Sequence, residues 1–199
     1  MSGTVTIRPR VVRHVSIDSE QPYAAFRAAY ETAVPAFDRL EAVGVVRSGA
    51  GWSGITALSD ATAGNGLVNV FTFDPSPLMK LNGSTRQGVT YLAANIIRAE
   101  RGFRVDPACF LYIPLRIMIA ETGQGTGQIS FDLPADLMAA FGYPDLDDVG
   151  AGANKTLAGL LKHLGVPVPA ELHGTATDTE ISAGPSHEQA VPSPARGTR

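Results

Sequence analysis

The sequence is short of the residues that most often announce a function. It has one cysteine, Cys109, which excludes an intramolecular disulfide, and its four histidines show no Cys/His spacing that resembles a zinc site. That usage fits a reducing cytoplasm. A charge excess of one sign is also missing. The 16 Lys and Arg against 19 Asp and Glu give a net charge of −3, without the basic stripe that a phosphate backbone requires. Nucleic acid is therefore not an expected partner. No apolar run reaches the roughly eighteen residues of a bilayer span. The segment 108–120 comes nearest, but it carries Arg116, and MSGTVTIRPR at the N-terminus has no apolar signal core. A membrane is not expected either. No cofactor is called for: TGQGTG (122–127) lacks the Walker spacing and its lysine, and no GxGxxG precedes a helix here.

What is present is ordinary globular composition, 44% hydrophobic and 18% charged, enough for one domain with a substantial core. The domain is expected over 1–168, with 169–199 a disordered tail, because from Ala170 onward the residues are small, polar and proline-containing without periodicity. Val5 to Ile17 alternates like a strand, with Pro9 favouring an edge and His14 on the parity opposite Val15 and Ile17. Asp18 and Gln21 at capping-box spacing predict a helix carrying Tyr23, Phe26, Tyr30, Val34 and Phe37 on one face, a stripe read as core. The Gly-rich stretch 44–66 reads as a long connection, helical at most around 54–60. Strands are predicted at 67–73 and 87–94, and short helices at 77–82 and at 96–101, the latter capped by Asn95 and ended by Gly102.

Asp106-Pro107 predicts a capped helical turn through Tyr112, ended by Pro114, after which Leu115, Ile117 and Ile119 alternate with Arg116, Met118 and Ala120. A loop of residues 122–126 would fold this strand against 127–132, with Ile119 opposite Ile129, Ile117 opposite Phe131, Met118 opposite Ser130 and Arg116 opposite Asp132. Helices are expected at 134–141 and 145–164. Two residues invite a chemical reading. Cys109, three positions after the cap Asp106, is either a small buried hydrophobe or a thiol of lowered pKa. Arg116 is either paired structurally with Asp132 or free to meet an anionic ligand.

Three segments together resemble the domain of unknown function 302 family. They are VNVFTFDPSPLMKLNG, ending at Gly83; YLAANIIRAERGFRVDPACFLYIPLRIMIAE (91–121); and ISFDLPADLMAAFG (129–142), followed by LLKHLGV (160–166). The shared pattern is a turn at Asn95 and an Asp106, Pro107, Tyr112, Pro114, Leu115, Arg116 segment entering a strand. The resemblance implies an α+β fold similar to TATA-binding-protein-like domains, with an antiparallel sheet, helices mainly on one face and usually a dimeric state. It implies no activity. Where the family pattern has a methionine and often a histidine in the helix before Asp-Pro, this chain has Gly102, Arg104 and Val105.

The first expectation for function is a small-molecule binding protein, with or without catalysis. Its pocket would lie between helices and sheet, lined by Tyr91, Tyr112, Met118 and Phe131 near Asn95 and Asp132, with Arg116 orienting an acidic group. The alternative is a homodimeric accessory or structural protein without enzymatic activity. No set of nucleophile, base and orienting group can be named from the sequence, and a redox role would rest on Cys109 alone.

Overall fold

The computed structural model describes residues 3–7 and 9–173. Along it run β1 (His14–Pro22), α1 (Tyr23–Ala33), α2 (Arg39–Arg47), α3 (Gly51–Thr62), β2 (Val68–Phe73), α4 (Ser76–Lys80), β3 (Gly88–Ala94) and α5 (Ile96–Val105). A 3-10 turn (Pro107–Leu111) leads into β4 (Leu115–Glu121), β5 (Thr126–Asp132), α6 (Pro134–Ala139), α7 (Pro144–His163) and a last 3-10 turn (Ala170–Leu172). The strands form one antiparallel sheet in the order β1-β5-β4-β3-β2.

The period of two along β4 places Ile117 and Ile119 on one face, both fully buried. On that face Tyr91 and Val89 of β3 lie opposite them on one side, and Phe131 and Ile129 of β5 on the other. Phe26 and Tyr30 of α1 and Leu157, Leu160 and Leu161 of α7 cover these residues and complete the main core. A smaller core joins Ala99, Cys109, Ile113, Met138, Leu146 and Val149. Asn69, buried in β2, ties α1 to the sheet: its side chain accepts from the Tyr30 hydroxyl at 3.1 Å and donates to the Val34 carbonyl at 2.6 Å. The opposite face of the sheet carries Arg116, Met118 and Ala120 of β4.

The hairpin has the expected register, Ile117 with Phe131, Met118 with Ser130 and Ile119 with Ile129. Asn95 and Asp106 cap as expected, accepting from the amides of Arg98 at 2.8 Å and Ala108 at 2.9 Å. Other expectations are corrected. β1 begins at His14 rather than Val5, because Val5, Ile7 and Val11 are 84%, 85% and 71% exposed, without a partner strand among the described residues. Asp18 and Gln21 do not cap α1: pairing with β5 carries β1 through to Pro22, so both remain in the strand. α2, capped by the Asp38 carboxylate, was not expected and reaches into the stretch read as a connection, and the helix expected around 54–60 extends over Gly51–Thr62 as α3. Gly102 lies inside α5 rather than at its end. A Cβ there would sit 3.2 Å from the Cys109 sulfur and 3.3 Å from Ile113 Cδ1, so this glycine permits close packing. Within the tail expected over 169–199, Ala170–Leu172 form a 3-10 turn whose Leu172 is buried in the main core, and the remainder, from 174, lies outside the described residues.

Gly127 of β5 is a sharp test of this packing, because an added Cβ would lie 2.5–2.7 Å from the buried Phe26 side chain. Gly127→Ala is expected to destabilise the fold by about 1–3 kcal/mol through overpacking. An unchanged midpoint in urea denaturation would contradict the α1–β5 contact.

Candidate functional site

The uncovered face of the sheet places polar side chains in rows. On β1 and β5, His14 is opposite Asp132, Ser16 opposite Ser130 and Asp18 opposite Gln128. Their side chains bond in sequence. His14 Nδ1 is 2.8 Å from Asp132 Oδ1, Ser16 Oγ is 3.3 Å from His14 Nε2 and 2.9 Å from Ser130 Oγ, and Gln128 Nε2 donates to Asp18 at 2.6 Å. A carboxylate only accepts, so the proton between His14 and Asp132 belongs to Nδ1. In the neutral ring Nε2 is then an acceptor, and the Ser16 hydroxyl donates to it. The single Ser130 proton is then shared between two acceptors, Ser16 Oγ and, at 3.4 Å, Gln128 Oε1.

Asp132 is therefore committed to His14 and not to Arg116. The β4–β5 ladder ends at Ile117 with Phe131, one position short of the expected Arg116–Asp132 pair, and no ion pair among the described residues involves Arg116. Arg116 instead borders a cleft of about 280 Å³ together with Arg10, Leu111, Tyr112, Asp132 and Leu137. The Arg10 guanidinium lies 4.0 Å over the Tyr112 ring and bonds its hydroxyl, and Arg10 also has no carboxylate partner among the described residues. The segment that brings Arg10 there is clamped to α6. Arg13 meets Asp136 through Nε at 2.9 Å, Nη2 at 2.7 Å and its backbone amide at 2.9 Å.

The residues expected to line one pocket are divided by the sheet. Arg116 and Met118 are on the open face, and Tyr112 and Asp132 are near Arg116. Tyr91 and Phe131 are on the covered face, buried in the main core. The Tyr91 hydroxyl is committed to Glu31 at 2.6 Å, and burial pushes its pKa up. Asn95 serves as a helix cap. The main core packs directly against the sheet, so the cleft at Arg116 lies outside the helix–sheet layer. Cys109 is fully buried, and burial followed by the nearby Asp106 carboxylate pushes its thiol up, the reverse of activation. Among the described residues no group of three His, Cys, Asp or Glu could hold a metal ion, and no helix is long and apolar enough to cross a membrane.

Arg10, Ser16 and Ser130 were not expected at this site. His14 and Ser16, two apart on one strand, share a face and could have been paired from the sequence, whereas the β1–β5 pairing that adds Asp132 has no local signal. A second unforeseen feature is an apolar groove of about 410 Å³ whose walls include Trp52, Phe103 and Phe110, with Glu100 at its edge.

Comparison with known proteins agrees with this architecture. The family model described as "Domain of unknown function DUF302" matches residues 54–164. No curated protein matches the chain. Among solved structures, an uncharacterized conserved DUF302 protein from Bacillus stearothermophilus superposes with a TM-score of 0.54 at 15% sequence identity, covering 76% of this chain and 97% of that one. At that identity the likeness concerns the fold alone.

Two outcomes follow from the site's environment. Cys109 is expected to resist alkylation by iodoacetamide in the folded protein and to react on unfolding, and rapid labelling under native conditions would contradict its burial. Burial raises the Asp136 carboxyl, but the hydrogen bonds and charge of Arg13 outweigh this and hold it below its ordinary value. Its folded pKa is thus lower than its unfolded pKa. The clamp's contribution is present above the ordinary carboxylate value of about 4 and is lost as pH falls through the folded pKa. Urea midpoints should fall below about pH 4, and Asp136→Asn should make that fall shallower.

Proposed function

We propose, on the premise that the chain belongs to the DUF302 family and that its family is described as one of unknown function, that this member binds a small anionic molecule in the cleft between Arg10 and Arg116. The observation that carries this reading is the state of Arg116: its expected partner Asp132 is bound to His14, while Arg116 borders a cleft with a second arginine that has no carboxylate partner among the described residues. Two guanidinium groups over a small concave volume suit a carboxylate or a phosphate, which each can meet with paired N–H donors. The Tyr112 ring and Leu111 and Leu137 offer apolar contact to the body of such a molecule. Asp132 on the same wall disfavours a second negative charge near the His14 end, so the anionic group belongs at the arginine end.

Succinate and inorganic phosphate, titrated calorimetrically, test this reading. Saturable binding at one site is expected, weakened at least tenfold by Arg116→Ala and by Arg10→Ala, a loss of about 1.4 kcal/mol or more. Affinity unchanged in both variants would reject the cleft as the binding site.

A second reading, a homodimeric accessory protein, is supported by apolar residues on the open face. Phe71 and Phe73 of β2 are 48% and 50% exposed and lie across from Leu92 and Thr90 of β3, on the face that carries Arg116 and Met118. Light scattering separates the readings: a monodisperse monomer whose mass is unchanged by Phe71→Ser and Phe73→Ser would reject the dimer.

A further inference from the structure

We infer that Ser16, His14 and Asp132 form a nucleophile–base–carboxylate relay on the open face of the sheet, competent for hydrolysis of small carboxylic esters that carry an anionic group. The three groups meet the geometric requirement of such a relay. Asp132 holds Nδ1–H of His14 at 2.8 Å, which leaves Nε2 as an acceptor facing the Ser16 hydroxyl at 3.3 Å. A slightly long nucleophile–base contact is usual before substrate binds. The order along the chain and the all-strand setting do not matter, because such a relay is recognised by geometry and roles.

In the reaction, Ser16 Oγ forms a bond to the ester carbonyl carbon as its proton passes to His14 Nε2, and Asp132 stabilises the imidazolium. The bond from that carbon to the leaving oxygen then breaks, and the alcohol takes the proton from Nε2. Water repeats the two steps on the acyl-Ser16 ester, releasing the carboxylic acid and restoring the serine. Two donors flank Ser16 and are available to the negative charge that develops. The Ser130 hydroxyl, 2.9 Å from Ser16 Oγ, can turn its proton to the oxyanion. The Ser16 amide faces the free edge of β1, because the bond from the Leu133 amide to the Arg13 carbonyl at 3.0 Å directs the odd-numbered residues toward β5 and the even-numbered ones outward. Asp132 joins the relay to the arginine cleft, and Arg116 is two strands from His14, roughly 10 Å. A short anionic acyl chain would span that distance once the Arg116 side chain reaches toward it. This choice of substrate charge rests on the anion-binding reading of the cleft, whereas the relay itself does not.

The full-length protein is to be assayed with 4-nitrophenyl acetate and 4-nitrophenyl hemisuccinate, and its mass followed after exposure to a fluorophosphonate. The expected results are a single adduct on Ser16, at least a 100-fold loss of kcat/KM for both esters in Ser16→Ala and in His14→Ala, and at least a tenfold preference for the hemisuccinate. Asp132 is a positioning residue. Asp132→Asn is expected to lower kcat with KM unchanged and to move the His14 ring proton from Nδ1 to Nε2 in nitrogen NMR spectra. All these side chains are solvent-exposed or half-exposed, and circular dichroism will establish that each variant folds. Hydrolysis of the acetate by Ser16→Ala at the wild-type rate, or an unlabelled Ser16, would overturn the relay. Equal kcat/KM for the two esters, with Ser16 still required, would overturn only the anionic-substrate assignment.

Discussion

β4 is hydrogen-bonded to an antiparallel neighbour on each side, so each of its side chains has only two destinations, and the pairing decides both together. Ile117 and Ile119 go beneath α1 and α7, and Arg116 and Met118 go to the other face. A slip of one residue would place Arg116 where Ile117 is fully buried and expose two isoleucines, each costing about 1.5–3 kcal/mol in lost burial before the cost of an unpaired buried charge. The same alternation in β5 and β1 sends Phe131, Ile129 and Ile17 inward and aligns Asp132, Ser130, His14 and Ser16 on the outside. Core and polar ladder are thus two consequences of one register.

The freedom of Arg116 is a matter of competition for Asp132. An exposed ion pair is worth about 0–1 kcal/mol. The side chains of His14 and Asp132 are 63% and 50% exposed, so no large energy dictates which partner the carboxylate meets. Geometry does. His14 is directly opposite Asp132 in the β1–β5 ladder, whereas the β4–β5 ladder has ended before Arg116 is reached. The carboxylate of Asp132 therefore orients an imidazole and leaves a guanidinium beside Arg10 and Tyr112.

The molecule keeps its polar groups in separate assemblies with different roles. Arg27 and Glu31 of α1, Asp74 just after β2 and Tyr91 of β3 are joined by hydrogen bonds of 2.6–3.0 Å that tie α1 to the sheet side. Arg13 and Asp136 anchor the segment before β1. The open-face ladder and the arginine cleft combine mutual orientation with access to solvent, the pairing that chemistry on a small molecule needs. Family membership carries the fold, and function has to be argued from these groups.

Local rules were enough for the elements that local rules create. The strand beginning at Leu115, its hairpin register, the caps at Asn95 and Asp106 and the α7 stripe all rest on spacing within a few residues, where backbone geometry and side-chain parity act directly. α2 escaped because its apolar residues face solvent: Leu40 is 85% exposed and Val46 71%, so no buried stripe marked it. The limits of β1 and the role of Gly102 depended on which distant segment packed alongside. So did the site. From the sequence, Arg116 was identified as a residue whose partner would be decisive and His14 as one turned away from the core. That β1 lies beside β5, joining His14 and Ser16 to Asp132 across more than a hundred residues, was decided only by the tertiary structure, because strand pairing is chosen by the burial of whole faces and not by any signal along the chain.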